Sequence, residues 1–145
     1  MKKPIHFLLV ALLFFTNSGC KREHRADYPI SPVPFTDVGI NDSFWLPRME
    51  TNRTVTIPVA MKKNEETGRV DNLRIAAGLK EGVYKGRRFN DTDVFKVMEG
   101  AAYSLKIHPD PDLEKQLDDL IAVIAAAQEE DGYLYAARTA DPANP

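Results

Sequence analysis

Two periodic apolar stripes organise the second half of the chain. Val94, Val97, Met98, Ala101 and Leu105 recur at spacings of three and four, which predicts an amphipathic helix over 93–106. Leu113, Leu117, Leu120, Ile121 and Ile124 form a second stripe at the same spacing. Asp110-Pro111 gives that second helix a cap and a first-position proline, and Asp112 and Glu114 lie where its dipole favours acid. Asp91 or Thr92 is available to cap the first. His108-Pro109 ends the first helix, and so short a joint predicts an antiparallel pair. Gly132 is the expected stop of the second.

The pattern upstream is mixed. Thr54-Val55-Thr56-Ile57 is β-branched and suits a strand, but Pro58 is barred from a central strand and suits a helix first turn. A helix from about Thr56 to Glu65, stopped by Gly68, is the reading adopted. A shorter helix follows from Val70 to Ala77, closed by Gly78, and Gly82 and Gly86 mark a flexible connection. Phe35 to Trp45 alternates loosely before the turn signal Asn41-Asp42, and reads as a short strand or extended arm. The sum is all-α, with little sheet. One long helix pair with wide apolar stripes cannot cover itself, so the pattern predicts the opening of a larger helical array. Repeats of 20 to 50 residues are not evident.

The first twenty residues obey a different logic. Lys2 and Lys3 precede an uninterrupted apolar run from Phe7 to Phe15, and Asn17-Ser18-Gly19-Cys20 follows as a cleavage zone. That order is a secretory signal, and the run is too short for a spanning helix, which needs roughly 20 apolar residues. Cys20 stands where a bacterial lipoprotein carries its acyl chains. Ser18 and Gly19 suit that peptidase, whereas Asn17 stands where an aliphatic residue is usual. The alternative is a plain secreted protein with an incidental cysteine. The expected organisation is a lipoprotein signal over 1–20, a polar, proline-bearing tether over 21–34, and the opening portion of a catalytic domain over 35–145. The expected location is periplasmic or outer-membrane-anchored.

Composition is that of an ordinary globular domain: 145 residues, 43% apolar and 28% charged. Without Lys2 and Lys3 the 19 basic residues fall to 17 against 21 acidic, a net charge of −4. Nucleic-acid binding therefore has no electrostatic support. A single cysteine leaves no internal disulfide.

Two loops carry candidate chemistry. Asn90, Asp91 and Asp93 open the first long helix with groups able to bind sugar hydroxyls; the competing role is helix capping, which spacing favours for Asp91 and Thr92. Asp93, Lys96 and Glu99 share one helical face, as a polar triad or, more in keeping with spacing, a salt-bridged stripe. Gln128, Asp131 and Tyr133 surround the end of the second helix. They offer hydrogen bonds and an aromatic platform for a sugar ring, or simply a polar helix end; Tyr135 and Arg138 extend that wall. Trp45, beside Phe44, reads as packing. His6, His24 and His108 are scattered and form no metal-ligand pattern. No phosphate loop, nucleophile elbow or Cys/His pair is present. A glycosidase carboxylate pair could be drawn from Asp91, Asp93, Glu99 and Asp131, but sequence gives no separation to test it.

Several segments together resemble a known family. Phe44-Trp45-Leu46-Pro47-Arg48, Asn52 to Pro58, Glu66 to Asn72, Phe89 to Lys96, Glu99 to Tyr103, Ala125 to Gln128 and Asp131 to Leu134 occur in the order found in the N-terminal part of the β-L-arabinofuranosidases of glycoside hydrolase family 127 and their relatives. Phe95 stands where tyrosine is usual and Leu73 where an aromatic is common. The resemblance implies the N-terminal part of an (α/α)6 barrel, followed by β-sandwich domains. It implies a retaining, exo-acting hydrolase of plant-derived glycans. It also implies a cysteine nucleophile held on zinc by further cysteines and a glutamate, with another glutamate as acid/base. Cys20 matches nothing in that site, so the zinc belongs to the full-length parent and none is expected on this chain, nor any catalytic residue. The expectation is an inactive opening fragment of the enzyme. A membrane-anchored helical module that binds a glycan or partner without cleaving it is the alternative, and an uronide hydrolase or lyase on a helical toroid a more distant one.

Overall fold

The computed structural model describes residues 30–143; the expected signal over 1–20 with Cys20, and the expected tether up to residue 29, lie outside the described residues. Helices α1 (Trp45–Thr51) and α2 (Ile57–Glu66) are joined by a π-helical stretch, Asn52–Thr56; α3 (Arg69–Ala76), α4 (Asp91–Ile107), α5 (Pro111–Ala127) and α6 (Ala136–Ala140) follow. The all-helical reading holds among the described residues, and the element boundaries hold the corrections.

The chain stays helical from Trp45 to Glu66, well upstream of the expected start at Thr56. Pro58 lacks an N–H, and its ring crowds the carbonyl four residues back. The wider turn just before it relieves that crowding, and Ile57 N–H reaches Asn52 O, five residues back. Thr51 and Thr54 turn their hydroxyls onto the carbonyls of Pro47 (2.9 Å) and Glu50 (2.8 Å). The β-branched run is thus absorbed into a helix. Its start is set by Asp42, whose Oδ1 accepts from the N–H groups of Phe44 (2.7 Å) and Trp45. Asn41-Asp42, read as a turn signal, is the start of a helix, and of the short strand or extended arm expected over Phe35–Trp45 the strand does not form. A 3-10 turn at Phe35–Asp37 takes its place, and the Phe35 ring meets Tyr103 of α4 edge-on at 5.1 Å.

Gly68 and Gly78 stop α2 and α3 as expected. Gly68 sits at φ 77, a left-handed conformation that side chains resist, while its N–H closes onto Glu65 O. α3, only eight residues long, packs against α2, α4, α5 and α6. Val70 and Leu73 on it are fully buried, and complete burial of one such side chain is worth about 1.5–3 kcal/mol. Around them gather Ile57 and Met61 from α2, Val94 and Ala101 from α4, and Leu113, Leu117, Leu120 and Ala127 from α5.

The two long helices match their stripes with one exception, Ile121, which is 53% exposed. Asp110 Oδ1 caps α5 by accepting from Asp112 and Leu113 N–H, both at 3.1 Å. α5 ends at Ala127, earlier than expected, because Gln128 turns extended. Gly132, at φ 87, serves instead a separate turn in which Gly132 N–H meets Glu129 O and Glu129 N–H meets Tyr133 O, each at 2.8 Å. α6 was not anticipated: Ala136 and Ala137 are completely buried and bring its backbone close onto α3.

Candidate functional site

The connection from α3 to α4 is held by side chains that reach far along the chain. Asn72 on α3 is 1% exposed and grips Lys85 from both sides: Nδ2 donates to Lys85 O (2.8 Å) and Oδ1 accepts from Lys85 N–H (2.9 Å). Tyr84, beside it, turns its hydroxyl towards Arg87 O (3.0 Å), Arg88 O (3.2 Å) and Asp91 Oδ1 (3.3 Å). Asn90 is buried; turned to satisfy the loop, its amide donates to Arg87 O (3.2 Å) and accepts from Arg87 N–H (3.3 Å).

Asp91 is the centre of this arrangement. It is 5% exposed; Oδ1 faces the Tyr84 hydroxyl, and Oδ2 accepts from Ala136 N–H at 2.8 Å, 45 residues away. Burial pushes its carboxyl above the usual aspartate range, against the lowering effect of the bonds from Ala136 and Tyr84. Burial, and then the adjacent Asp91 charge, push the Tyr84 phenol up to about 12. Asp91 is not a simple cap: its side chain bonds Ala136 at the start of α6, with its own backbone N–H a lesser contributor. Thr92 likewise donates its hydroxyl to Phe89 O at 2.9 Å instead of capping.

Asp93 serves a different face. Its Oδ2 accepts from Arg69 Nε at 2.7 Å, with Lys96 Nζ 3.6 Å from Oδ1. The Arg69 bond holds its carboxyl below the ordinary range. Asp93, Arg69, Lys96 and Asn64 line an open groove of 380 Å³ between α2 and α4. Glu99 lines a separate shallow hollow with Phe35, Tyr103 and Lys106. The stripe reading thus holds for Asp93 and Lys96, and Asp91, Asp93 and Glu99 face three different sets of neighbours.

Gln128, Asp131 and Tyr133 come together as a tight turn. Gln128 Nε2 donates to Gly132 O (2.7 Å) and Asp131 Oδ1 accepts from Tyr133 N–H (2.9 Å). The Tyr133 ring is 43% exposed, and the Arg138 guanidinium lies 4.7 Å from its centre. Arg138 also faces Glu129 (3.7 Å), which accepts from the Thr139 hydroxyl at 2.9 Å. Arg88 donates to Ala137 O at 3.4 Å and lies 6.0 Å from the Tyr135 ring. The two candidate loops therefore meet through Asp91, Arg88 and the start of α6. Sequence reasoning missed Tyr84, Arg88 and the role of Asn72, since none lies on a periodic stripe. Trp45, expected to pack, is 56% exposed with Phe44 edge-on at 5.0 Å.

The zinc implied by the resemblance has no ligand set here: among the described residues no three His, Cys, Asp or Glu side chains are grouped to hold a metal ion. No helix among them is long and apolar enough to cross a membrane.

Comparison with known proteins agrees with this architecture. The family profile for the β-L-arabinofuranosidase GH127 catalytic domain matches residues 37–144. A non-reducing end β-L-arabinofuranosidase of Bifidobacterium longum subsp. longum is 48% identical over 65 residues, 45% of this chain and 10% of that protein. The solved GH127 β-arabinofuranosidase BT3674 superposes with a TM-score of 0.75 at 52% identity, over 81% of this chain and 19% of its own. The GH127 β-L-arabinofuranosidase of Geobacillus stearothermophilus T6 superposes with a TM-score of 0.71 at 34% identity, over 73% of this chain and 18% of its own. The chain thus spans a fifth or less of the length of these relatives. Its helices are part of an (α/α)6 barrel, and the chain belongs to the GH127 β-L-arabinofuranosidase catalytic-domain family.

Proposed function

We propose that these residues build part of the wall and rim of the catalytic barrel of an exported, retaining exo-β-L-arabinofuranosidase acting on plant-derived glycans. The observation that supports it best is the superposition on BT3674 at 52% identity. In this reading the rest of the barrel covers the exposed apolar side chains of Val55, Val59 and Ile121. The half-exposed Tyr133 ring, backed by Arg138, is the surface offered to the glycan. Asn90, Asp91, Gln128 and Asp131 shape that rim, each already bonded to protein, while Asp93 faces the groove between α2 and α4. The zinc, its cysteines and the catalytic glutamates belong to other parts of the enzyme. Cys20 carries the lipid anchor and 21–34 is the tether.

Grafting residues 37–144 in place of the matching segment of BT3674 tests the assignment. The graft should hydrolyse a chromogenic β-L-arabinofuranoside with kcat/KM within about tenfold of the host, a barrier change of about 1.4 kcal/mol. The purified 145-residue chain should give no turnover. A folded graft without activity, or turnover by the 145-residue chain itself, refutes the reading. Cys20→Ser should abolish acyl labelling of the expressed chain.

A further inference from the structure

We propose that Asp91 is a positioning residue of this rim: its buried carboxylate ties the start of α4 to the start of α6, and so sets the Gln128–Tyr135 loop without touching the glycan. The proposal rests on the rim reading above and names what holds that rim in place.

Both oxygens of Asp91 are engaged inside the protein, one by Tyr84 and one by Ala136 N–H at 2.8 Å, and the side chain is 5% exposed. It is therefore closed to a sugar hydroxyl. Ala136 is the first residue of α6, and its N–H has no partner within the helix. A buried N–H of this kind needs an acceptor, and a carboxylate makes a stronger bond than a neutral group. Tyr135 just before it is extended, at φ −157 and ψ 94, and Tyr133 lies two residues further back. Fixing Ala136 thus fixes where the chain carrying Tyr133 emerges. The Arg88 bond to Ala137 O is a second, longer tie at 3.4 Å. Tyr84 bonds Asp91 directly and Arg88 bonds Ala137 O, while Glu129 and Arg138 of α6 pair with each other.

Amide hydrogen exchange on the folded BT3674 graft tests the tie without reference to activity. Asp91→Leu should speed exchange over 128–140 about tenfold, with 94–105 and 113–124 unchanged. Asp91→Asn keeps a carbonyl oxygen for Ala136 N–H and should stay within about threefold of the parent. Unaltered exchange over 128–140 in Asp91→Leu, or lost protection throughout α4 and α5, overturns the proposal. In the active graft, Asp91→Leu should raise KM for the arabinofuranoside about tenfold while kcat changes less than about threefold. Faster exchange with an unmoved KM also overturns it. An inactive parent graft removes the glycosidase reading, and the exchange experiment still decides whether Asp91 is the tie.

Discussion

Replacing Asn72 by alanine isolates one long-range tie. The amide grips Lys85 through two bonds of 2.8 and 2.9 Å in the middle of the α3–α4 connection. Each such bond contributes a net of about 1 kcal/mol, so the pair accounts for about 2 kcal/mol. Lys85 is exposed, so water can take up its freed N–H and C=O, which keeps the loss near that value. Asn72 is 1% exposed, and an unrelaxed cavity at its site would carry the loss to about 3 kcal/mol. A whole folded domain holds about 5–15 kcal/mol in all, so the change is a large fraction even of that. Urea unfolding followed by far-UV circular dichroism reads it: at a slope of about 2 kcal/mol per molar, the midpoint should fall by about 1 M with the slope unchanged. Exchange of the Lys85 amide should accelerate in parallel. A midpoint shift below about 0.3 M, or a Lys85 amide that exchanges as before, would refute the assignment of this tie.

Asp110→Ala should cost about 1 kcal/mol by the same urea assay, because one oxygen caps two N–H groups of α5, while Asp110→Asn should cost much less. The pH dependence of stability should carry opposite signs at different carboxyls. Asp91, raised by burial, binds its proton more tightly in the native state than in the unfolded chain, so its contribution declines as pH rises from its ordinary 3.8 through the native value. Asp71, lowered first by its bond from Lys80, and Asp93, lowered first by Arg69, contribute stability above their ordinary value that is lost as pH falls. The stability of the parent relative to Asp91→Asn should therefore be greater at pH 4 than at pH 7; an equal or reversed difference would contradict the burial argument.

The elements legible in the sequence are those whose stability is set locally. α4 and α5 show long apolar periods, and Asp110-Pro111 marks its helix start by chemistry confined to four residues. The continuity of α1 with α2 is hidden because Thr54 to Ile57 reads as strand and Pro58 as the first turn of a new helix, and the π stretch that joins the two leaves no compositional mark. α6 is five residues without a stripe; two alanines suffice because they need only be small enough to approach α3. Ile121 lies on the apolar stripe of α5 and is half-exposed, because period specifies a face and not what covers it.

The candidate loops are legible in the sequence as segments and not as contacts, and Asp91 shows why. A carboxylate at a helix start reads as a cap because the first N–H groups of a helix need acceptors. Here the backbone has already answered part of that need: Asn90 N–H meets Arg87 O, Thr92 N–H meets Phe89 O and Asp93 N–H meets Asn90 O, at 2.9 to 3.2 Å. With those groups satisfied by the turn, the Asp91 carboxylate is left to serve an N–H 45 residues away. The same residue at the same position is compatible with either outcome, and only the arrival of α6 decides between them. Residues that join distant segments therefore resemble local caps until the tertiary partner is in place, and spacing alone names the segments without naming the neighbours of their side chains.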